Sequence, residues 1–251
     1  MTLSSAAAET ANVLRESILE NPADKDEWFL GSEDDLVSSL GVSRPTLRQG
    51  LRLLEQEQLV AVRRGVGGGI FARRPSIEGV AHTASVFLRS EGTTYGDLIR
   101  TLSVLCAQCA HMVAENPDPA VRQRLLDFVE RRAAEPAERV SARDFVRKSG
   151  EFEILLATLS GSATMRLFVS VLIDLALPTA AHIMANPEDR KTGMKNHLAV
   201  ARAIADGNAP LASRRLRVHL EHLLDLADEA ASLLRLFPRG TTSGVDPVRS
   251  A

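Results

Sequence analysis

Two hydrophobic periodicities succeed one another along the chain, and the change between them divides it. Up to residue 75, short helical patterns give way to two strand-like runs; beyond it, helical periodicity continues almost to the end. Residues 6–20 predict a helix with Val13, Leu14 and Ile18 on one face, stopped by Asn21-Pro22. Ser32 predicts the N-cap of a second helix, with Asp35 at capping-box spacing, and Leu36, Val37 and Leu40 as its apolar face. Gly41 permits a sharp turn, and Ser43 caps a third helix that tolerates Pro45 in its first turn. There Leu47, Leu51 and Leu54 follow the i, i+4, i+7 spacing of a buried stripe. Leu59–Val62 and Gly69–Ala72 predict two strands around the glycine-rich tip RRGVGGG.

Helix, helix, turn, helix and β-hairpin together predict a winged helix-turn-helix over residues 1–75. Downstream, helices are expected near 77–90, 95–115, 118–133, 139–160, 163–184, 188–206 and 208–236. Their breaks fall at Gly92, Asn116-Pro117, Glu135-Pro136, Gly161, Asn186-Pro187 and Gly207-Asn208. The fold class is therefore mainly α: the winged domain, then an all-helical bundle over 76–237 large enough to enclose a cavity. A mobile tail is expected at 238–251. Arg73-Arg74-Pro75-Ser76 is the expected hinge.

Arg44, Arg48 and Arg52 recur every fourth residue beside the leucine stripe. If the leucines seat the helix on its domain, the arginines face outward, and they drift only about 40° per four residues at 3.6 residues per turn. They form one cationic ridge on a helix narrow enough for a major groove. Charge sharpens this picture. The whole chain carries −2, but residues 43–74 hold seven arginines against Glu55 and Glu57, whereas residues 1–42 hold nine acidic residues against Arg15 and Lys25. A basic block within a balanced chain points to nucleic acid. Arg63 and Arg64 stand at the base of the expected wing.

Composition narrows the remaining classes. At 251 residues and 45% apolar content the chain has ample material for a core. No apolar run reaches membrane-spanning length, and the opening MTLSSAAAETANVLRE lacks the layout of a signal peptide, so a cytoplasmic protein is expected. Cys106 and Cys109 share a helical face and are expected to pack as small hydrophobes. Glu-x-x-His, a phosphate-binding loop and a GxSxG elbow are all missing, which argues against an enzyme. The alternatives to a regulator are a metal-dependent helical enzyme and an effector-independent DNA-binding scaffold.

Residues 30–75, LGSEDDLVSSLGVSRPTLRQGLRLLEQEQLVAVRRGVGGGIFARRP, resemble the GntR family of bacterial transcription regulators, and the helical remainder, including NHLAVARAIADGNAPLASRRLRVHL, resembles the effector domain of its FadR subfamily. The resemblance implies a homodimeric repressor or activator that reads a palindromic double-stranded operator and answers to a small-molecule effector. It implies base and phosphate contacts by Arg44 and Arg48, further contacts by Thr46 and Gln49, and a minor-groove approach by Gly67 and Gly68. Many relatives carry arginine where this chain has Asp34.

For the effector domain the resemblance implies a divalent metal, zinc or similar, held by an Asp, a His four residues later and two later His. Here the first two positions read Ser149 and Glu153, and the later pair is His197 and His219. Two readings stand: Glu153, His197 and His219 form an open metal site, or the histidines line a metal-free pocket. His222, three residues after His219, Ser149 and Arg100, the one arginine of the helix near 97–115, are further candidates for the pocket. A helix so short of polar anchors suggests an acyl or ring compound; a carboxylate is the alternative.

Overall fold

The structure, a computed structural model, describes residues 5–20, 26–133 and 140–229. Within them the order is α1 (Ser5–Glu20), β1 (Glu27–Gly31), α2 (Glu33–Leu40), α3 (Arg44–Gln56), β2 (Val60–Arg63), β3 (Gly69–Arg73) and then seven helices. These are α4 (Ile77–Ser90), α5 (Tyr95–Ala114), α6 (Pro119–Ala133), α7 (Ala142–Leu159), α8 (Ala163–Ile183), α9 (Pro187–Ala205) and α10 (Ala209–Glu229). The chain divides into two compact units between Gly79 and Val80. The expected breaks at Asn21-Pro22 and Glu135-Pro136, the end of the last helix and the tail at 238–251 lie outside the described residues.

Local chemistry sets the ends of the first unit's helices. Ser32 accepts from the Asp35 amide while Asp35 returns a bond to the Ser32 backbone, a complete capping box at the start of α2. Gly41 ends α2 in the left-handed conformation. Ser43 caps α3 through the Thr46 amide, and Pro45 sits where a missing N–H costs nothing. Leu47, Leu51 and Leu54 are buried in one core with Leu14, Ile18, Leu36, Leu59 and Ile70. Gly50 allows α1 to cross α3 closely: a Cβ there would stand 3.1 Å from the Ala7 carbonyl oxygen.

One element departs from expectation. The hairpin of β2 and β3 gains a third strand, β1, which pairs antiparallel with β3, so the sheet order is β1-β3-β2. The segment expected as a hinge is bound into the first unit instead. Arg73 ends β3 and its amide donates to the Leu59 carbonyl, while the Arg74 amide donates to the Asp26 carbonyl.

In the second unit, α5 packs against α10, α8 and α7, while α9 packs against α6 and α10. Tyr95, Leu102, Phe152, Leu156, Ile204 and Leu220 are fully buried there. By length and composition α8 alone among the described residues could cross a membrane. It lies instead against α7 and α5, with Val169, Ile173 and Ala176 buried.

Leu54→Ala removes a side chain with no exposed surface. It is expected to cost about 2–5 kcal/mol, seen in chemical denaturation as a lower midpoint with an unchanged slope.

Candidate functional site

The burial of one side of α3 decides what the other side shows. Arg44 and Arg48 keep 60% and 65% of their side-chain surface exposed, and Arg52 is exposed as well. Thr46 and Gln49 are half-buried, with the Thr46 hydroxyl 2.8 Å from that of Ser43. Neither of the first two arginines is unpaired. The Arg44 guanidinium donates to Asp34 at 2.6 Å, and Arg48 donates through Nε and Nη2 to both oxygens of Glu33, at 2.9 and 3.2 Å. Both acids stand in the first turn of α2. Asp34, where many relatives carry arginine, is thus a partner of Arg44, a contact that residue order alone does not show.

At the wing, Arg64, Gly67 and Gly68 occupy the turn between β2 and β3, with Arg64 and Gly67 exposed. Gly68 is required there, because a Cβ would meet the Arg63 carbonyl oxygen at 2.4 Å. Arg63 is less available than expected. It bonds Glu27 of β1 and lies 4.4 Å over the Phe71 ring. Glu27 also takes a bond from Arg73, and hydrogen bonding and charge from the two guanidiniums hold its carboxyl below the usual range.

The second unit carries a different chemistry. A cavity of about 50 Å³ lies among α5, α7, α8 and α10, room for roughly three to five water molecules. Its lining is largely apolar, with Tyr95, Ser149, Glu153 and His219 as the polar members and no Lys or Arg. The Tyr95 hydroxyl and Ser149 Oγ are buried and have no hydrogen-bond partner among the described residues. Burial pushes the Tyr95 pKa up, and the nearby Glu153 charge adds to this.

At the inner end Glu153, His197 and His219 converge. Glu153 Oε1 is 3.4 Å from His197 Nε2 and 3.7 Å from His219 Nε2, and the two nitrogens are 2.9 Å apart. Phe152 stacks on the His197 ring at 4.1 Å and fixes its plane. Burial works against the Glu153 charge, but hydrogen bonds and charge from the two histidines outweigh it and bring its pKa down to about 2. Burial, with the charge of His219, lowers His197 to about 4. Near neutral pH the cluster thus offers a carboxylate and a neutral imidazole, the forms that ligate metal.

The donor set fits a divalent cation. Four-coordinate zinc with bonds of about 2.0–2.1 Å places its donors roughly 3.3 Å apart, close to the spacings seen. The outer Nδ1 atoms of His197 and His219 are buried and have no partner among the described residues, so the outer hydrogen bond that usually orients a ligating histidine is not among the contacts seen.

Ser149 lines the cavity. Two further candidates lie outside the cavity lining. Arg100 is exposed and is not part of the lining, because it falls on the outer face of α5 while Ile99 and Leu102 turn inward. His222 is neither a lining residue nor a member of the converging set, although its Nε2 is buried and unpartnered. Tyr95 was missed; its place at the start of α5, after the Thr94 cap, was the available signal.

A winged helix-turn-helix followed by a helical domain with an internal polar cluster defines a class: the transcription regulators. Residues 7–70 match "Bacterial regulatory proteins, gntR family", and residues 97–222 match the FCD domain. The chain belongs to the GntR family, with a GntR domain followed by an FCD domain, an architecture consistent with the FadR subfamily, and is a transcription regulator rather than an enzyme. It is 29% identical over 197 residues to an uncharacterized HTH-type transcriptional regulator from an unstable DNA locus of Streptomyces ambofaciens, a match spanning 77% of this chain and 74% of that one. Among solved structures it resembles Streptococcus agalactiae GntR in fold, at 22% identity and a TM-score of 0.64, covering 86% of this chain and 97% of that one.

Cys106 and Cys109 have no exposed surface, and burial raises both thiols. Neither should react with Ellman's reagent in the native protein, and both should react in denaturant.

Proposed function

We propose that this regulator binds a palindromic double-stranded DNA operator as a homodimer, and that a small molecule entering the FCD cavity changes its affinity for that operator. The observation that carries the ligand-responsive part is the cavity with buried, unpartnered polar atoms ending at Glu153, His197 and His219. An effector-independent scaffold has no use for such groups, each of which costs stability when left unsatisfied. In the first unit the exposed ridge of Arg44, Arg48 and Arg52 supports entry of α3 into a major groove, with the wing glycines beside the backbone. Because half-site spacing is set by geometry, an effector that alters dimer geometry alters specific binding. DNA as the partner makes the bacterial cytoplasm the place of action.

The effector is a small molecule with an apolar body. Its polar end meets the Tyr95 hydroxyl, Ser149 Oγ and the Glu-His-His cluster. Among the described residues the lining holds neither Lys nor Arg, so a cation at that cluster would serve a carboxylate effector. Glu153, His197 and His219 would hold the cation, which would supply a Lewis-acidic position for the effector.

Two experiments test this. Arg44→Ala and Arg48→Ala should each weaken binding to a duplex selected by the wild type by about 1–3 kcal/mol, measured by fluorescence anisotropy; unchanged affinity defeats the DNA-reading role. Zinc added to metal-stripped protein should raise its melting temperature, by about 2.7 kcal/mol of added stability at a hundredfold excess over Kd. The rise should vanish in the His197→Ala/His219→Ala double variant; an equal rise in both proteins removes the metal from the proposal.

A further inference from the structure

The acidic partners of the recognition arginines are the least expected feature of the DNA-reading face. A helix N-terminus next to a cationic ridge is ordinarily a place where phosphate is attracted. Here the first turn of α2 carries Glu33, Asp34 and Asp35. Asp35 is committed to the capping box. The other two reach across to α3, Glu33 to Arg48 and Asp34 to Arg44.

The geometry of the two pairs differs in a way that matters. Glu33 engages Arg48 side-on, through Nε and Nη2. A guanidinium has five N–H groups in a rigid plane, so this leaves both Nη1 hydrogens and one on Nη2 free. That terminal edge still offers two parallel donors, enough to pair with guanine O6 and N7. Asp34 takes only Nη2 of Arg44 and stays 72% exposed beside it. Its charge therefore remains close to any phosphate that Arg44 could neutralise.

We propose that Glu33 and Asp34 are specificity-determining residues of the DNA-reading face. Glu33 is a positioning residue that holds Arg48 with its base-reading edge outward. Asp34 cancels much of the attraction that Arg44 would offer to any phosphate backbone. Both lower affinity for arbitrary duplex, and Glu33 also preserves the discrimination made by Arg48. The proposal rests on the reading of α3 as the recognition helix.

The test uses the full-length protein. Wild type selects its preferred site from a random duplex pool. Anisotropy titrations over a range of salt then compare that duplex with a scrambled one for the wild type, Glu33→Gln and Asp34→Asn. Both variants should bind the scrambled duplex about 2- to 5-fold more tightly. Asp34→Asn should also steepen the salt dependence by about one phosphate contact, roughly 0.9 in the logarithmic slope. In Glu33→Gln the ratio of selected to scrambled affinity should fall, and reselection should show a relaxed preference at the base pair that Arg48→Ala also relaxes.

Unchanged ratios and slopes in both variants, with circular dichroism showing them folded, overturn the proposal while leaving the DNA-binding reading intact. Failure of the wild type to enrich any duplex overturns both.

Discussion

The burial of three leucines on one side of α3 is the constraint from which the DNA-reading face follows. Leu47, Leu51 and Leu54 retain 0%, 4% and 0% exposure. Each such side chain contributes about 1.5–3 kcal/mol on removal from water, whereas an exposed ion pair is worth about 0–1 kcal/mol. The apolar stripe, not the pairs to Glu33 and Asp34, therefore fixes the rotation of the helix. The arginines point outward because the leucines point inward. Gly50 sharpens the constraint by letting the backbone of α1 approach the same face.

The second unit inverts this logic. There the polar groups are inside, at the meeting of α7, α9 and α10, which supply Glu153, His197 and His219. A buried carboxylate is costly unless it is hydrogen-bonded and paired, and for Glu153 the polar groups closest by are the two imidazoles, at 3.4 and 3.7 Å. The stacked Phe152 ring and the largely apolar wall of the cavity enclose the cluster. Such an enclosure strengthens every electrostatic contact made inside it.

The two units also show how charge counted along a chain can mislead. The basic block at 43–74 looks separate from the acidic stretch before it. In the fold, Glu27, Glu33 and Asp34 from that acidic stretch stand against Arg63, Arg73, Arg48 and Arg44. The exposed face of α3 is thus less cationic than its own segment, because acids from the preceding stretch are paired with its arginines.

Helix identity, caps and the leucine and arginine stripes were legible in the sequence because they are local. A cap acts within three residues, and an amphipathic face repeats within two turns. For that reason the winged domain, the helical bundle and the family were all readable from residue order. Contacts between distant segments were not. Strand β1 is only five residues long and exists because β3 offers it a free edge; Glu33 and Asp34 find their arginines only once α2 turns onto α3. Arg100 and Tyr95 lie five residues apart on α5, and only the packing of that helix against α7, α8 and α10 decides that Tyr95 enters the cavity and Arg100 does not. Periodicity specifies which residues share a face, while the direction in which that face looks is set by the elements packed against it.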